Sequence, residues 1–305
     1  MRRLAPLLLL AAGSGSLYAA PPVATVDIDT AATIYQDAEI REQVRASLGN
    51  MPQQIRHLFE SDNTNKLNAD QLAAVSEAAK HYFRIDVFET PALNAFAANL
   101  DAPTVKKTEA FLSSDLGKRM VAADVAIATK PQVEIDKIMN GELSTPSTPQ
   151  RDVILDKLER ATHSTESAVQ IFLTMGSAVA IGTAVGAGSD PGPVSERSKQ
   201  AGESSRASLE EGLRQPLRRY LAYSYRDLSD EDLKHILSFL DSHAGQHYIG
   251  AYIASMDAGF NAMGRRCGEQ LGESLRELAQ AKLATTQRDD VPPEIALPTP
   301  GTPTH

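Results

Sequence analysis

Two histidines, His243 and His247, stand four positions apart, which places both imidazoles on one face of a helix. Neutral imidazole is a common ligand of zinc and related metals, and Asp241 lies close enough in sequence to add a carboxylate. The glutamate of the His-Glu-x-x-His zinc protease motif is absent from this position. The pair is therefore a candidate metal site, and a metal-dependent hydrolase is one functional hypothesis. The alternative is that both histidines are ordinary surface residues.

A second group combines positive charge with aromatic rings in an otherwise acidic chain. Its members are Arg218, Arg219, Tyr220 and Tyr223. Such a patch could bind an acidic ligand, a glycan or a protein partner. The alternative is that the tyrosines face the core while the arginines are solvated or paired with the glutamates at 210–211.

Cys267 is the only cysteine, so the chain can form no internal disulfide. It could be a reactive thiol, half of an intermolecular bridge, or a small buried apolar residue. The acids of the first half (Glu89, Asp101, Asp115 and Asp124) are interpreted as a solvated helix face. No titratable pair or triad supports a mechanism, so we expect no catalytic residue, no cofactor and no enzymatic activity.

These residues belong to elements that occur twice in the chain. The segment 105–125, VKKTEAFLSSDLGKRMVAADV, returns as 233–253, LKHILSFLDSHAGQHYIGAYI, at an ungapped offset of 128 residues (233 − 105). Lys106, Phe111, Leu112, Ser114, Gly117 and Ala123 recur as Lys234, Phe239, Leu240, Ser242, Gly245 and Ala251.

Each copy predicts a helix, a corner and a second helix. Apolar residues at helical spacing lead to a serine that can cap the next helix, which we expect to begin near Asp115 and His243. The glycine three positions later allows close packing, because it has no side chain. We predict a structural role for the motif residues of both copies: Phe111, Leu112, Ser114, Gly117, Phe239, Leu240, Ser242 and Gly245.

The pattern Phe-Leu-x-Ser-x-x-Gly, set between two apolar helices, resembles the DUF2059 family of uncharacterised exported bacterial proteins. The residues that carry the resemblance are Leu228, Leu233, Phe239, Leu240, Ser242, Gly245 and Tyr248, and in the first copy Leu100, Val105, Phe111, Leu112, Ser114, Gly117 and Met120. The likeness covers about 25 residues in each copy. It implies a mostly helical periplasmic protein and supplies no catalytic residues.

The N-terminus has the pattern of a secretory signal peptide over residues 1–20. Arg2 and Arg3 precede a short apolar run at 4–12, and Ala19 or Ala20 offers a cleavage site. The sequence therefore predicts export to the periplasm. The net charge of −9 argues against nucleic acid as a partner, because nucleic-acid binding needs a basic face.

Composition divides the remaining chain. We expect a helical unit at 21–140, a linker at 141–150 rich in proline, serine and threonine, and a second helical unit at 151–285. The proline-rich stretch 286–305 predicts a disordered tail.

The second unit contains an uncharged stretch from Ser167 to Ser189, in which we expect an apolar helix over residues 168–188. Its length would suffice to span a membrane, and Gly182 and Gly186 have the spacing seen in paired membrane helices. Its many alanine, glycine and serine residues favour a helix buried in the second unit instead.

The sequence therefore predicts an all-α fold built from two tandem, related helical units. The leading functional hypothesis is an exported, non-enzymatic binding module for an unidentified protein or envelope ligand. A cell-envelope protein tethered to the membrane through 168–188 is the alternative.

Overall fold

A computed structural model describes residues 26–61 and 67–289, apart from the side chains of 57–59, 61 and 284–289. These residues form α-helices without a strand, which confirms the all-α prediction. The helices are α1 (Ile28–Asp37), α2 (Ile40–Leu48), α3 (Met51–Ser61), α4 (Ala69–Tyr82), α5 (Ile85–Asn99), α6 (Ala102–Leu112), α7 (Asp115–Ala128), α8 (Gln132–Asn140), α9 (Pro149–Thr162), α10 (Ser164–Gly186), α11 (Gly192–Ser224), α12 (Asp230–Leu240) and α13 (His243–Asp289).

Helix α13 is the axis of the molecule. It contains 47 residues and is therefore about 70 Å long at 1.5 Å per residue. Helices α4, α5 and α6 from the first half of the chain pack against it, as does α10 from the second half. At the contact with α5, the rings of Phe88 and Phe260 meet edge to face, with centroids 5.3 Å apart.

One apolar core runs through both halves of the chain. Ile34, Phe88 and Phe96 from the first half share this core with Leu155 and Phe260 from the second. A smaller cluster joins α8 to α11 through Ile138 and Leu217. The two halves are therefore packed into one body.

Helix α10 lies between α13 on one side and α11 on the other. A Cβ on Gly182 would overlap the Arg265 carbonyl oxygen, and one on Gly186 would overlap the Glu269 carbonyl oxygen. Because both residue numbers rise together, α10 and α13 run parallel. Gly264, Gly268 and Gly272 of α13 are likewise seated against the backbone of α10. The glycine spacing thus serves a contact within the chain.

Some predicted boundaries differ from the observed ones by a few residues. The connection after α8 spans 141–148, because α9 already begins at Pro149, with Thr148 as its N-cap. The apolar helix expected at 168–188 covers Ser164–Gly186. Helix α13 continues to Asp289, four residues beyond the predicted end of the second unit. The predicted signal peptide and the tail beyond residue 289 lie outside the described residues.

Candidate functional site

The two predicted corners have the same local structure. Ser114 is the N-cap of α7: its hydroxyl accepts a hydrogen bond from the Gly117 amide at 3.0 Å and donates one to the Phe111 carbonyl at 2.6 Å. Ser242 makes the corresponding bonds at the start of α13, accepting from Gly245 at 3.1 Å and donating to Phe239 at 2.6 Å. Both serine hydroxyls thus satisfy backbone groups that the helix end leaves unpaired.

The glycines of the corners are required for a close approach. A Cβ on Gly117 would overlap the Phe111 carbonyl oxygen and lie 2.8 Å from Leu112 Cα. On Gly245 it would overlap the Phe239 carbonyl oxygen and lie 2.7 Å from Leu240 Cα. No other residue fits either place without moving the backbone, so the predicted packing role accounts for both glycines.

The corners also meet each other. The rings of Phe111 and Phe239 are stacked with centroids 3.9 Å apart and planes inclined by 5°. These phenylalanines occupy equivalent positions in the two sequence copies. A contact between equivalent residues is the geometry expected where an approximate twofold axis relates two elements.

Two charge pairs flank the stacked rings in reciprocal fashion. Arg119 of α7 donates to Asp232 in the first turn of α12, with Nη1 to Oδ2 at 2.9 Å. His247 of α13, at the position equivalent to Arg119, lies with Nδ1 3.8 Å from Oδ2 of Asp101, the N-cap of α6. The pKa of Asp232 is held well below its usual range by hydrogen bonds from Arg119 and Ser229.

His243 and His247 lie together on the exposed surface of α13, as their spacing predicts. Their rings are stacked, with centroids 4.2 Å apart and planes inclined by 29°. The described residues contain no group of three or more histidine, cysteine or acidic side chains arranged to hold a metal. This part of the chain offers the pair no ligand set for a hydrolytic metal.

The arginines of the predicted patch point to different partners. Arg218 is bound to two acids of α9, with Nε 2.6 Å from Asp156 and Nη2 3.0 Å from Asp152. Arg219 donates to the Met139 carbonyl at 2.9 Å, at the end of α8. Pairing with acids is one of the alternatives that the sequence left open, although the acids belong to α9 rather than to 210–211.

The tyrosines of the patch are separated as well. Tyr220 is largely buried, and burial raises the pKa of its hydroxyl above the usual value. Tyr223 lies beneath the Arg226 guanidinium, 4.3 Å from its ring centroid. The four patch residues therefore do not form one open basic surface. Arg218 and Tyr220 instead hold α11 in place.

Cys267 is buried in α13, with 2% of its surface exposed, and burial raises the pKa of its thiol to about 12. Since a thiolate is the reactive form, this cysteine is inert at neutral pH. Of the three interpretations that the sequence allows, the structure supports the small buried apolar residue.

The most unusual polar group is one that sequence analysis misassigned. Asp124 of α7 is not part of a solvated face: its carboxyl lines a small cavity, no larger than one water molecule needs. The other lining residues are Leu158, Thr162, Leu221, Ser224, Tyr225 and Leu240. Asp124 retains some accessible surface, yet desolvation dominates and raises the pKa of its carboxyl to about 7. Asp101 is also buried, with 8% of its surface exposed, because it caps α6.

The repeat contained the signal that could have revealed Asp124. At the offset of 128 residues (252 − 124), its counterpart is Tyr252, which is buried with 1% of its surface exposed. Helix-face periodicity within the first copy alone does not distinguish Asp124 from exposed acids. Projecting the second copy onto the first places it at a core position.

Comparisons with known proteins return no relatives. No protein-family profile matches the chain, and neither a curated protein nor a solved structure is significantly similar to it.

Proposed function

We propose that the chain is an exported, non-enzymatic helical protein that acts by binding another protein through the hairpin formed by α10 and α11. The observation that carries the proposal is the incomplete burial of α10. In the 18-residue apolar window within Pro149–Gly186, only 33% is buried. Soluble proteins seldom leave such apolar surface open unless it contacts a partner.

The exposed surface lies on the flanks of α10, between its two neighbours. Phe172, Leu173 and Ile181 are partly exposed, and Val185 keeps 40% of its surface. Gly176 has no neighbouring atom within 4 Å of the place where a Cβ would be. The open flanks therefore combine apolar side chains with room for close contact.

Helix α11 supplies a polar border to this surface. It runs antiparallel to α10, since Gly202 packs on Leu173 while Arg206 bonds to Gln170. Its first half is mostly exposed and carries both signs of charge, for example Glu196 and Arg197. An apolar centre with a polar rim is the usual composition of a protein interface.

Export is the second component of the proposal. It is supported by the signal-like sequence of residues 1–20 and by the resemblance of the corner motif to DUF2059 proteins. The predicted chemistry fits a protein without catalysis: Ser114 and Ser242 cap helices, and Cys267 is buried. We extend the sequence reading by proposing that the two corners derive from one repeated unit.

Photo-crosslinking in the native cells tests the binding surface. A benzophenone amino acid is placed at Val185 or Gly176, and the matched control carries it at Val133 of α8, which is 59% exposed. We expect a discrete crosslinked protein from the α10 positions alone. Adducts that are absent, or equally abundant at Val133, would contradict the proposed surface.

A membrane tether is the second candidate, because the same helix is long and apolar enough to cross a bilayer. The tether would require α10 to leave α13, breaking the glycine contacts and the 2.7 Å hydrogen bond from Thr174 to Asp257. It would also expose Ser164, Thr165 and Ser167, which are fully buried.

Fractionation separates the two candidates. Osmotic shock followed by a carbonate wash is applied to cells that produce the whole chain. Release with the periplasmic proteins is the result expected for the binding module. Retention in the carbonate-washed membrane would favour the tether, and recovery in the cytoplasm would contradict export.

A further inference from the structure

The cavity beside Asp124 lies where helices from both halves of the chain meet. Helix α7 contributes Asp124, α9 contributes Leu158 and Thr162, and α11 contributes Ser224 and Tyr225. The Tyr225 hydroxyl is hydrogen-bonded to the Asp124 carboxyl, joining α7 to α11. The Ser224 hydroxyl is buried without a hydrogen-bond partner.

No positive charge compensates this carboxyl. The ionisable groups that interact with it are tyrosines, namely Tyr220 and Tyr225 of α11 and Tyr248 and Tyr252 of α13. The residues that line the cavity from α9 and α12 are Leu158, Thr162 and Leu240, none of which ionises. No ionisable group of α2 or α6 in the described chain affects its pKa.

The nearest arginine contact serves the backbone instead of the carboxyl. Arg151 of α9 donates through Nη2 to the Tyr225 carbonyl at 2.6 Å, and through Nη1 to Asp230 at 2.7 Å. The guanidinium therefore fixes the end of α11 and is already paired. A desolvated carboxylate without a cation is costly, and the carboxyl avoids that cost by retaining its proton.

We propose that Asp124 is a proton-binding site that couples the packing of α7 against α11 to pH. With the proton bound, the neutral carboxyl and Tyr225 hold the two helices together across the cavity. When the proton leaves, a charge remains in an apolar enclosure and the contact between the helices loosens. The device would let the chain respond to acidification of its surroundings.

The sign of the effect follows from proton linkage. The pKa of Asp124 is raised to about 7 in the folded protein, against about 3.8 for an unperturbed aspartate. Between these values the folded state binds more protons than the unfolded state, so stability falls as pH rises. Above the folded pKa the penalty is complete and no longer changes with pH.

Thermal unfolding of the full chain from pH 4 to pH 8.5 tests the site. Asp124→Asn removes the titration while keeping the shape, and Asp37→Asn, on the exposed end of α1, is the matched control. We expect the Tm of wild type minus that of Asp124→Asn to fall up to pH 7 and then level off. The Asp37→Asn difference should not reproduce that fall. A difference for Asp124→Asn that stays constant from pH 4 to 8.5 would overturn the proposal.

Tyr225→Phe distinguishes a proton site from a merely structural hydrogen bond. The bond from Tyr225 lowers the pKa of Asp124, so its removal should extend the pH-dependent fall in Tm to higher pH. An unchanged end point would contradict the coupling between the two groups.

If either variant fails to fold, carbon-13 NMR of the aspartate carboxyls in wild type decides the question. One carboxyl should titrate near pH 7. Titration of every aspartate below about pH 5 would exclude the site.

Discussion

The two corners of this chain have nearly the same local geometry and different continuations. Ser114 and Ser242 make matching hydrogen bonds, and Gly117 and Gly245 are seated against matching backbone atoms. Beyond the corner, however, α7 ends after 14 residues whereas α13 continues for 47. The corner is therefore a local structural solution that does not determine the length of the helix that follows it.

Equivalent positions beyond the corners have also acquired different chemistry. Position 252 in α13 is a buried tyrosine, and the equivalent position 124 in α7 is an aspartate in a cavity. Likewise Arg119 forms an ion pair where His247 lies 3.8 Å from its acid. The backbone contacts are thus shared between the copies, while the polar side chains differ between them.

The largest effect is expected from the corner glycines. Gly117→Ala and Gly245→Ala should each lower the free energy of unfolding by about 1–3 kcal/mol or more, because the new methyl group overlaps a backbone carbonyl. Gly250→Ala is the control: no atom lies within 4 Å of its Cβ position, so it should be neutral or stabilising by up to about 1 kcal/mol. Chemical denaturation measures all three. If only one corner is sensitive, the corners are not equivalent.

A smaller and equal effect is expected from the capping serines. Ser114→Ala and Ser242→Ala each remove a side-chain acceptor from the first turn of a helix, which should cost about 1 kcal/mol. Ser113→Ala, one residue before the first cap and exposed, is the control. Urea titration of the single variants checks the prediction. Costs that differ severalfold between the corners would show that one cap is dispensable.

The smallest effect concerns the reciprocal charge pairs. Arg119→Gln should lower the Tm slightly at low salt and less at high salt, because the guanidinium is 52% exposed and its ion pair is screened. His247→Gln should change the Tm less than Arg119→Gln above neutral pH, since an uncharged imidazole does not form an ion pair with Asp101. An equally large change for both variants at pH 8 would contradict this ranking.

Sequence reasoning predicted the helical fold and the starts of α7 and α13 because local signals determine them. Ser114 caps at the position where the pattern places it, and Gly117 permits the contact that follows. Long-range packing left no such signal. The partners of Gly182 and Gly186 are residues 265–273, which lie beyond the whole of α11 and α12. Their spacing fits a membrane pair as well as it fits a helix of the same chain.

The candidate sites were harder to predict because their chemistry depends on what each side chain faces. Arg218 and Tyr220 are adjacent in sequence to the other patch residues, yet one pairs with α9 and the other is buried. Asp124 resembles any exposed helical acid until α9 and α11 enclose it. Burial and distant partners, which a single sequence does not display, decided both cases.

The stack of Phe111 on Phe239 offers the most direct test of the central claim, that the two corners are equivalent elements packed on each other. A double-mutant cycle with Phe111→Leu and Phe239→Leu measures their coupling in the free energy of unfolding. We expect a coupling of about 0.5–1.5 kcal/mol, as for other aromatic pairs in contact. Additive single effects, with no coupling, would show that the corners do not pack together.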